Sequence, residues 1–275
     1  MVDTPAAPRT VSLKFLADLS APLVYLASRG GGDQTEHLGN FRDEDVPVLD
    51  ARTALAETSL DREGFMLVKH ASKVADFYDD TALRTVYHDE LKALIRGITN
   101  AARVEVFDDT RRSASLSRQR ERGIREPANI VHNDYTAASG PRRLADYLAE
   151  TGDGSAPDSY ERFAIINAWR PIRGPVLDQP LVLCDATSVE DGELVAMERR
   201  ADQRVGELQA ALHNPRQRWY FYPCMQPDEV LLFKTYDSAE DGRARFTPHS
   251  SFNDPLAPED APARESIESR CLVFF

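Results

Sequence analysis

The run RFAIINAWRPI, residues 162–172, reads as a β-strand, and it does not stand alone. IVHNDYT (130–136) precedes it. PLVLCDATSV (180–189), RWYFYP (218–223), EVLLFKTYD (229–237), ARFTPH (244–249) and SIESRCLVFF (266–275) follow, with Pro, Gly, Asp and Asn between them. Many short strands joined by such turn residues point to a sandwich or barrel. One short helix, GPRRLADYLAE (140–150), interrupts the series.

The first half is mixed. Val74, Phe77, Leu83, Val86, Tyr87, Leu91, Leu94 and Ile95 fall at helical spacing, as two helices or as one broken near Asp79–Asp80, packed on one side of the strands. SLKFLA, APLVYLA, GFMLVKH and ARVEVFD read as further strands, and SRGGGDQTEH (28–37) as a mobile loop. RRSASLSRQRERGIRE (111–126) has no apolar periodicity and reads as a loop. It is either a basic lid that steers an anionic substrate or a solvated segment balanced by Glu121 and Glu126. With no long polar linker, one domain is expected over 1–275. Residues 1–10 are expected to be loose, 11–130 to flank the core and 131–275 to form it.

A formal charge of −12 repels phosphate backbones and anionic lipid, so neither nucleic acid nor a membrane is expected as a partner. Cys184, Cys224 and Cys271 lie too far apart for a paired zinc or redox motif, and a cytoplasmic location is expected.

The chemistry turns on VHNDYT. Side chains at i and i+2 leave the same face of a strand, so His132 and Asp134 can close on one ion while Asn133 points away. A two-histidine, one-carboxylate triad with open positions is the arrangement of non-haem Fe(II) oxygenases, and it needs a third ligand from elsewhere. His88 reads as a surface residue, and His37 and His70 have no carboxylate at a useful spacing. His213 competes for the place, and His249, beside Pro248 at the end of a β candidate, is better placed. An H-x-D pair by itself decides nothing. On the last strand, Arg264, Ser266, Glu268 and Arg270 share a face that suits a small dicarboxylate, or is simply a charged exterior.

Together VHNDYT, INAWRPIRGP, EVLLFKTYDS, ARFTPHSSFNDP and RESIESRCLVFF resemble the AsaB/CmcJ-type hydroxylase/desaturase family, from about residue 60 to the C-terminus. That family is placed among the Fe(II)/2-oxoglutarate-dependent oxygenases. The resemblance implies a mainly β protein with packed helices and a double-stranded β-helix, or jelly roll, at its core. It implies Fe(II) on His132, Asp134 and His249, with 2-oxoglutarate and O2 as cosubstrates and a small molecule as substrate. Arg264 with Ser266, or Arg270, would anchor the far carboxylate of 2-oxoglutarate. Asn167 is a further candidate for the cofactor pocket, and Trp169, Lys234 and Tyr236 for the substrate. An iron/O2 oxidase that does not use 2-oxoglutarate, and a jelly-roll binding protein or zinc hydrolase, are the alternatives.

Overall fold

A computed structural model describes residues 7–201 and 204–275. Its strands in chain order are β1 (Arg9–Leu16), β2 (Val24–Leu26), β3 (Glu36–Leu38), β4 (Phe41–Asp50), β5 (Phe65–Lys69), β6 (Arg103–Ser113), β7 (His132–Asn133), β8 (Phe163–Pro171), β9 (Leu181–Cys184), β10 (Leu194–Ala201), β11 (Arg204–Ala211), β12 (Trp219–Phe221), β13 (Glu229–Asp237), β14 (His249–Ser251) and β15 (Glu265–Phe274). They form two sheets, one in the order β1-β4-β12-β9-β14-β7-β11-β10-β2-β3 and the other β5-β13-β8-β15-β6. Strands from before residue 131 stand at the edges of both sheets, and the later ones fill the middle.

The sheets face each other as a jelly roll, and period-two alternation decides what lies between them. Phe65, Trp169, Leu231 and Phe233 of the smaller sheet meet Leu181, Leu183 and Tyr220 of the larger one in a shared apolar cluster. Residues of opposite parity on the smaller sheet, among them Ile166, Ala168, Val230, Leu232, Ile267, Cys271 and Val273, are covered by Leu83, Tyr87, Leu91 and Ile95 of the helical segment. Both faces of β8 and β13 are therefore buried, which is why their sequences run almost continuously apolar.

The helical segment begins later than the spacing suggests. Asp79 caps it, its carboxylate accepting from Thr81 N and Ala82 N, so residues 72–79 lie outside the helix. A short α2 (Asp80–Ala82), after the single turn α1 (Ala51–Ala54), passes through a π-helical turn (Leu83–Tyr87) into α3 (His88–Thr99). Arg170 accounts for the tight packing here. Its fully buried guanidinium lies 5.2 Å from the Phe77 ring centroid and 5.4 Å from that of Tyr87, and donates to the carbonyls of His70 and Pro227.

The expected loop 111–126 is corrected. β6 runs to Ser113, and α4 (Leu116–Arg122) follows, with Ser115 accepting from Arg118 N at its start and Gly123 left-handed at its end. Apolar periodicity misses this helix because the residue it buries is polar: Gln119, whose Nε2 donates to Ser113 O at 2.8 Å. The loop expected at 28–37 is tied down by Gly31 N, which donates to Ile124 O at 3.0 Å. Its Gly30 is left-handed, and a Cβ there would stand 2.6 Å from Gly123 O. The charged strands β4, β10 and β11 were not legible as strands at all. The helix expected at 140–150 is α5 (Ser139–Thr151). Of the N-terminal stretch expected to be loose, residues 1–6 lie outside the described residues, and β1 has begun by Arg9.

Candidate metal centre and the cavity beside it

β7 has only two residues, yet its neighbours set the geometry of the site. His132 pairs with Ala210 of β11 on one side and with His249 of β14 on the other. Both histidines therefore project from the inner face of the larger sheet, with ring centroids 4.4 Å apart. Asp134 comes round to the same side, its Oδ1 3.6 Å from His132 Nε2. One ligand-capable atom from each of the three residues lies within 4.8 Å of the others. His249 opens the three-residue strand β14 rather than ending a strand 244–249, because residues 244–248 are irregular.

The rings are pre-set for a metal. His132 Nδ1 is 2.9 Å from Ile130 O, and His249 Nδ1 is 3.0 Å from Thr247 O. A carbonyl oxygen only accepts, so each Nδ1 carries the proton and each Nε2 presents its lone pair. Burial, then the neighbouring His249, pull His132 down to about 4, and burial lowers His249 too, so both rings are neutral at pH 7. Burial works to raise Asp134, but Arg270, the two imidazoles and Asn167 together hold it well below the usual carboxylate range. Two neutral imidazoles and one carboxylate are the donor set of a ferrous facial triad.

The two arginines of β15 and its approach differ in what they touch. Every nitrogen of Arg270 is engaged: Nε donates to Asp134 Oδ2 at 2.9 Å, Nη1 to Asp108 Oδ2 at 2.6 Å and Thr110 Oγ1 at 3.1 Å, and Nη2 to Glu268 Oε1 at 2.5 Å. Asn167 Nδ2 donates to the same Asp134 Oδ2 at 2.7 Å. Both side chains thus hold the carboxylate that faces the histidines. Arg264 is 3% exposed and gives Nη1 to Gln179 O at 2.6 Å, while its Nε and the Ser266 hydroxyl are buried without a partner. Burial, then repulsion from Arg112, pull its guanidinium down to about 9. An open N–H beside an open hydroxyl on a buried cation fits one carboxylate of a small diacid.

Trp169 lies 5.6 Å beneath the Arg264 guanidinium and packs into the core between the sheets, so it supports that arginine and does not line the cavity. Lys234 and Tyr236 depart from the substrate role expected of them. Lys234 Nζ, 1% exposed, donates to Asp61 Oδ1 at 2.6 Å and Asp237 Oδ2 at 2.8 Å, on the face of β13 away from the triad. The anionic partner that its burial demanded is internal. A bulge between Lys234 and Tyr236 shifts the register there, and the Tyr236 ring packs on Phe163 and against Gly140 of α5.

Of the other histidines, three have partners of their own. His88 is not a free surface residue, since its Nε2 lies 2.7 Å from Asp109 Oδ2. His213 stacks on Phe15 with its Nδ1 3.9 Å from Glu44, remote from the triad, and His37 sits between the rings of Tyr25 and Phe41. Asn133 was missed by sequence reasoning. Buried completely, it donates to Tyr135 O, Gln209 Oε1 and Thr235 O and accepts from Thr247 N, tying β7 to β11, β13 and the approach to His249. Position between two ligands carries no spacing signal for such a role.

His132, Asp134 and Arg270 form part of the wall of a cavity of about 580 Å³, completed by residues of β6, β10, β11, α5 and the segment after α4. Such a volume suits a small organic molecule.

Residues 13–274 match the model of the oxidoreductase/YMDC permease-like domain family. Hydroxylase/desaturase efuI of Hormonema carpetanum is 35% identical over 263 residues, spanning 86% of this chain and 85% of the relative. The chain belongs to this hydroxylase/desaturase family. A further member at 32% identity, covering 88% of this chain and 87% of its own length, is the Fe(II)/2-oxoglutarate-dependent dioxygenase nvfI of Aspergillus novofumigatus. The solved iron and alpha-ketoglutarate-dependent endoperoxidase NvfI superposes on this chain with a TM-score of 0.82 over 99% of each chain, at 28% identity. The double-stranded β-helix is thus the fold of the family. Among the described residues no helix is long and apolar enough to cross a membrane.

Proposed function

We propose that His132, Asp134 and His249 hold ferrous iron, that Arg264 and Ser266 hold the far carboxylate of 2-oxoglutarate, and that a small-molecule substrate enters the adjoining cavity. The protein is an Fe(II)/2-oxoglutarate-dependent oxygenase of secondary metabolism, carrying out hydroxylation, desaturation or oxidative cyclisation. The observation that carries the reading is the clustered His-Asp-His set in which both Nδ1 atoms face backbone carbonyls and both Nε2 lone pairs are left for a metal. Bound iron with 2-oxoglutarate and O2 supplies oxidation of an unactivated C–H bond, coupled to decarboxylation of the cosubstrate to succinate.

The chain's own residues do the rest. The carbonyls of Ile130 and Thr247 hold both rings in the ligating tautomer. Arg270 and Asn167 bind Asp134 Oδ2 and leave Oδ1 turned to His132. What supports Arg264 over Arg270 as the cosubstrate anchor is capacity, since every nitrogen of Arg270 is taken while Arg264 Nε is open. Open polar atoms at Arg264 and Ser266 also favour use of 2-oxoglutarate over an oxidase that dispenses with it.

Anaerobic titration of the Fe(II)-loaded protein with 2-oxoglutarate tests this through the visible charge-transfer band of the chelate. Saturable growth of the band is expected, with Arg264→Gln weakening 2-oxoglutarate by about tenfold or more, the scale of a charge-assisted pair. An unchanged affinity in Arg264→Gln removes that anchor, and no band in the parent protein removes the reading itself.

A further inference from the structure

We propose that the substrate of this enzyme is an anion, a carboxylate or a group of like charge, held by Arg125 and Arg199 with Arg112 beside them, on the wall of the cavity that holds His132 and Asp134. This deepens the oxygenase reading and rests on it. The three arginines come from separate parts of the chain. Arg112 lies on β6, Arg125 in the segment after α4, and Arg199 on β10, sharing the inner parity of Met197; all three line the cavity. Arg112 and Arg125 stand opposite each other in a parallel β-bridge, fixed by Ser113 N donating to Arg125 O at 2.9 Å. Like charges set directly across a bridge repel.

None of the three is held in an ion pair among the described residues. Arg112 gives Nη1 to the main-chain carbonyl of Glu126, and no carboxylate lies within ion-pairing distance of Arg112, Arg125 or Arg199 among the described residues. Among the acids on the cavity wall, Asp108 and Asp134 pair with Arg270, Asp109 lies 2.7 Å from His88 Nε2, Glu150 pairs with Arg143 and Glu207 accepts from the Thr136 hydroxyl. Glu126, next to Arg125, turns its carboxylate to the 28–35 loop and accepts from Thr35 N at 2.8 Å. Burial and then repulsion from Arg112 and Arg199 lower the Arg125 guanidinium, the direction expected where cations wait for an anion.

The backbone holds this arrangement in place. Gly31 N donates to Ile124 O, and Gly30, at positive φ, approaches so closely that a Cβ there would stand 2.6 Å from Gly123 O, bracing the Arg125 segment against the loop. Gly206, paired with Arg199 across β10 and β11, leaves open space where a side chain would project. In an acidic protein these cations line the approach to the triad, so they select the charge of what arrives there.

The test is calorimetry on Mn(II)- and 2-oxoglutarate-loaded protein with matched pairs of rigid bicyclic and tricyclic carboxylic acids and their methyl esters, beginning with 1-naphthoate and methyl 1-naphthoate. The acids are expected to bind about tenfold or more tightly than the esters, a preference that shrinks with salt and is lost in Arg125→Gln and Arg199→Gln but kept in Arg125→Lys. Affinity for 2-oxoglutarate, read anaerobically with Fe(II), should stay within about twofold in the glutamine variants, which also shows that they are folded. Equal binding of acid and ester, or a preference that survives both glutamine variants, overturns the proposal. A loss of 2-oxoglutarate affinity in them also overturns it, by giving these arginines to the cosubstrate. Failure of the parent protein to bind 2-oxoglutarate instead counts against the oxygenase reading.

Discussion

Arg270 Nε donates to Asp134 Oδ2 at 2.9 Å, so a strand at the far end of the chain holds the carboxylate that faces both histidines. Asn167 closes on the same oxygen from β8. The ligand's orientation is therefore a property of the smaller sheet, although Asp134 follows a strand of the larger one.

Arg270→Lys should weaken binding of Fe(II), or of Co(II) as a spectroscopic substitute, by about 10- to 100-fold, because an ammonium cannot span Asp134, Asp108 and Glu268 at once. Anaerobic metal titration measures this. An affinity within about twofold of the parent would show that the guanidinium fork has no part in orienting Asp134.

Asn133→Leu removes one acceptor and the donors to three oxygens in a dry interior, so a loss of about 2–4 kcal/mol in unfolding free energy is expected. Urea denaturation measures it. The variant that remains folded should also bind metal more weakly, since Thr247, whose amide Asn133 holds, also supplies the carbonyl that orients His249.

Lys234→Met leaves Asp237 buried with one cation fewer and should cost about 3–5 kcal/mol. Under conditions where it folds, its 2-oxoglutarate affinity and its preference between acid and ester should match the parent. A selective loss of ligand binding with unchanged stability would return Lys234 to the site.

His37 is held down to about 4 by burial, then by Lys14 and His132. The unfolded chain binds a proton near pH 6.5 that the folded ring refuses until about pH 4, so this group's contribution is present above pH 6.5 and lost as pH falls towards 4. The urea midpoint of the protein should fall across that window, and fall less in His37→Phe, which keeps the aromatic contacts with Tyr25 and Phe41. An identical pH profile for the two proteins would rule out His37 as a contributor.

Much of the architecture was legible because burial on both faces leaves a plain mark. β8, β13 and β15 are apolar enough to read directly, and α3 and α5 announce themselves by spacing. β4, β10 and β11 stayed hidden because charged residues interrupt their apolar alternation. α4 stayed hidden because it buries a glutamine. For the site, the H-x-D pair and its same-face geometry could be read from a six-residue window, and His249 could be ranked above the other histidines. Lys234 misled for a physical reason: burial says that a cation needs an anion but not which one.

The sequence by itself determined the alternation that makes two apolar sheets, the chemical identity of the metal donors and the charge of the surface, since these depend on residue type and local period. Tertiary structure alone decided that His249 pairs across β7 with His132, that Arg270 is spent on Asp134 while Arg264 keeps an open N–H, and that three arginines meet at one cavity with no ion pair of their own among the described residues. Those outcomes follow from strand register and from which carboxylates come within a few ångströms of which cations. Both are settled by contacts between segments far apart in the chain.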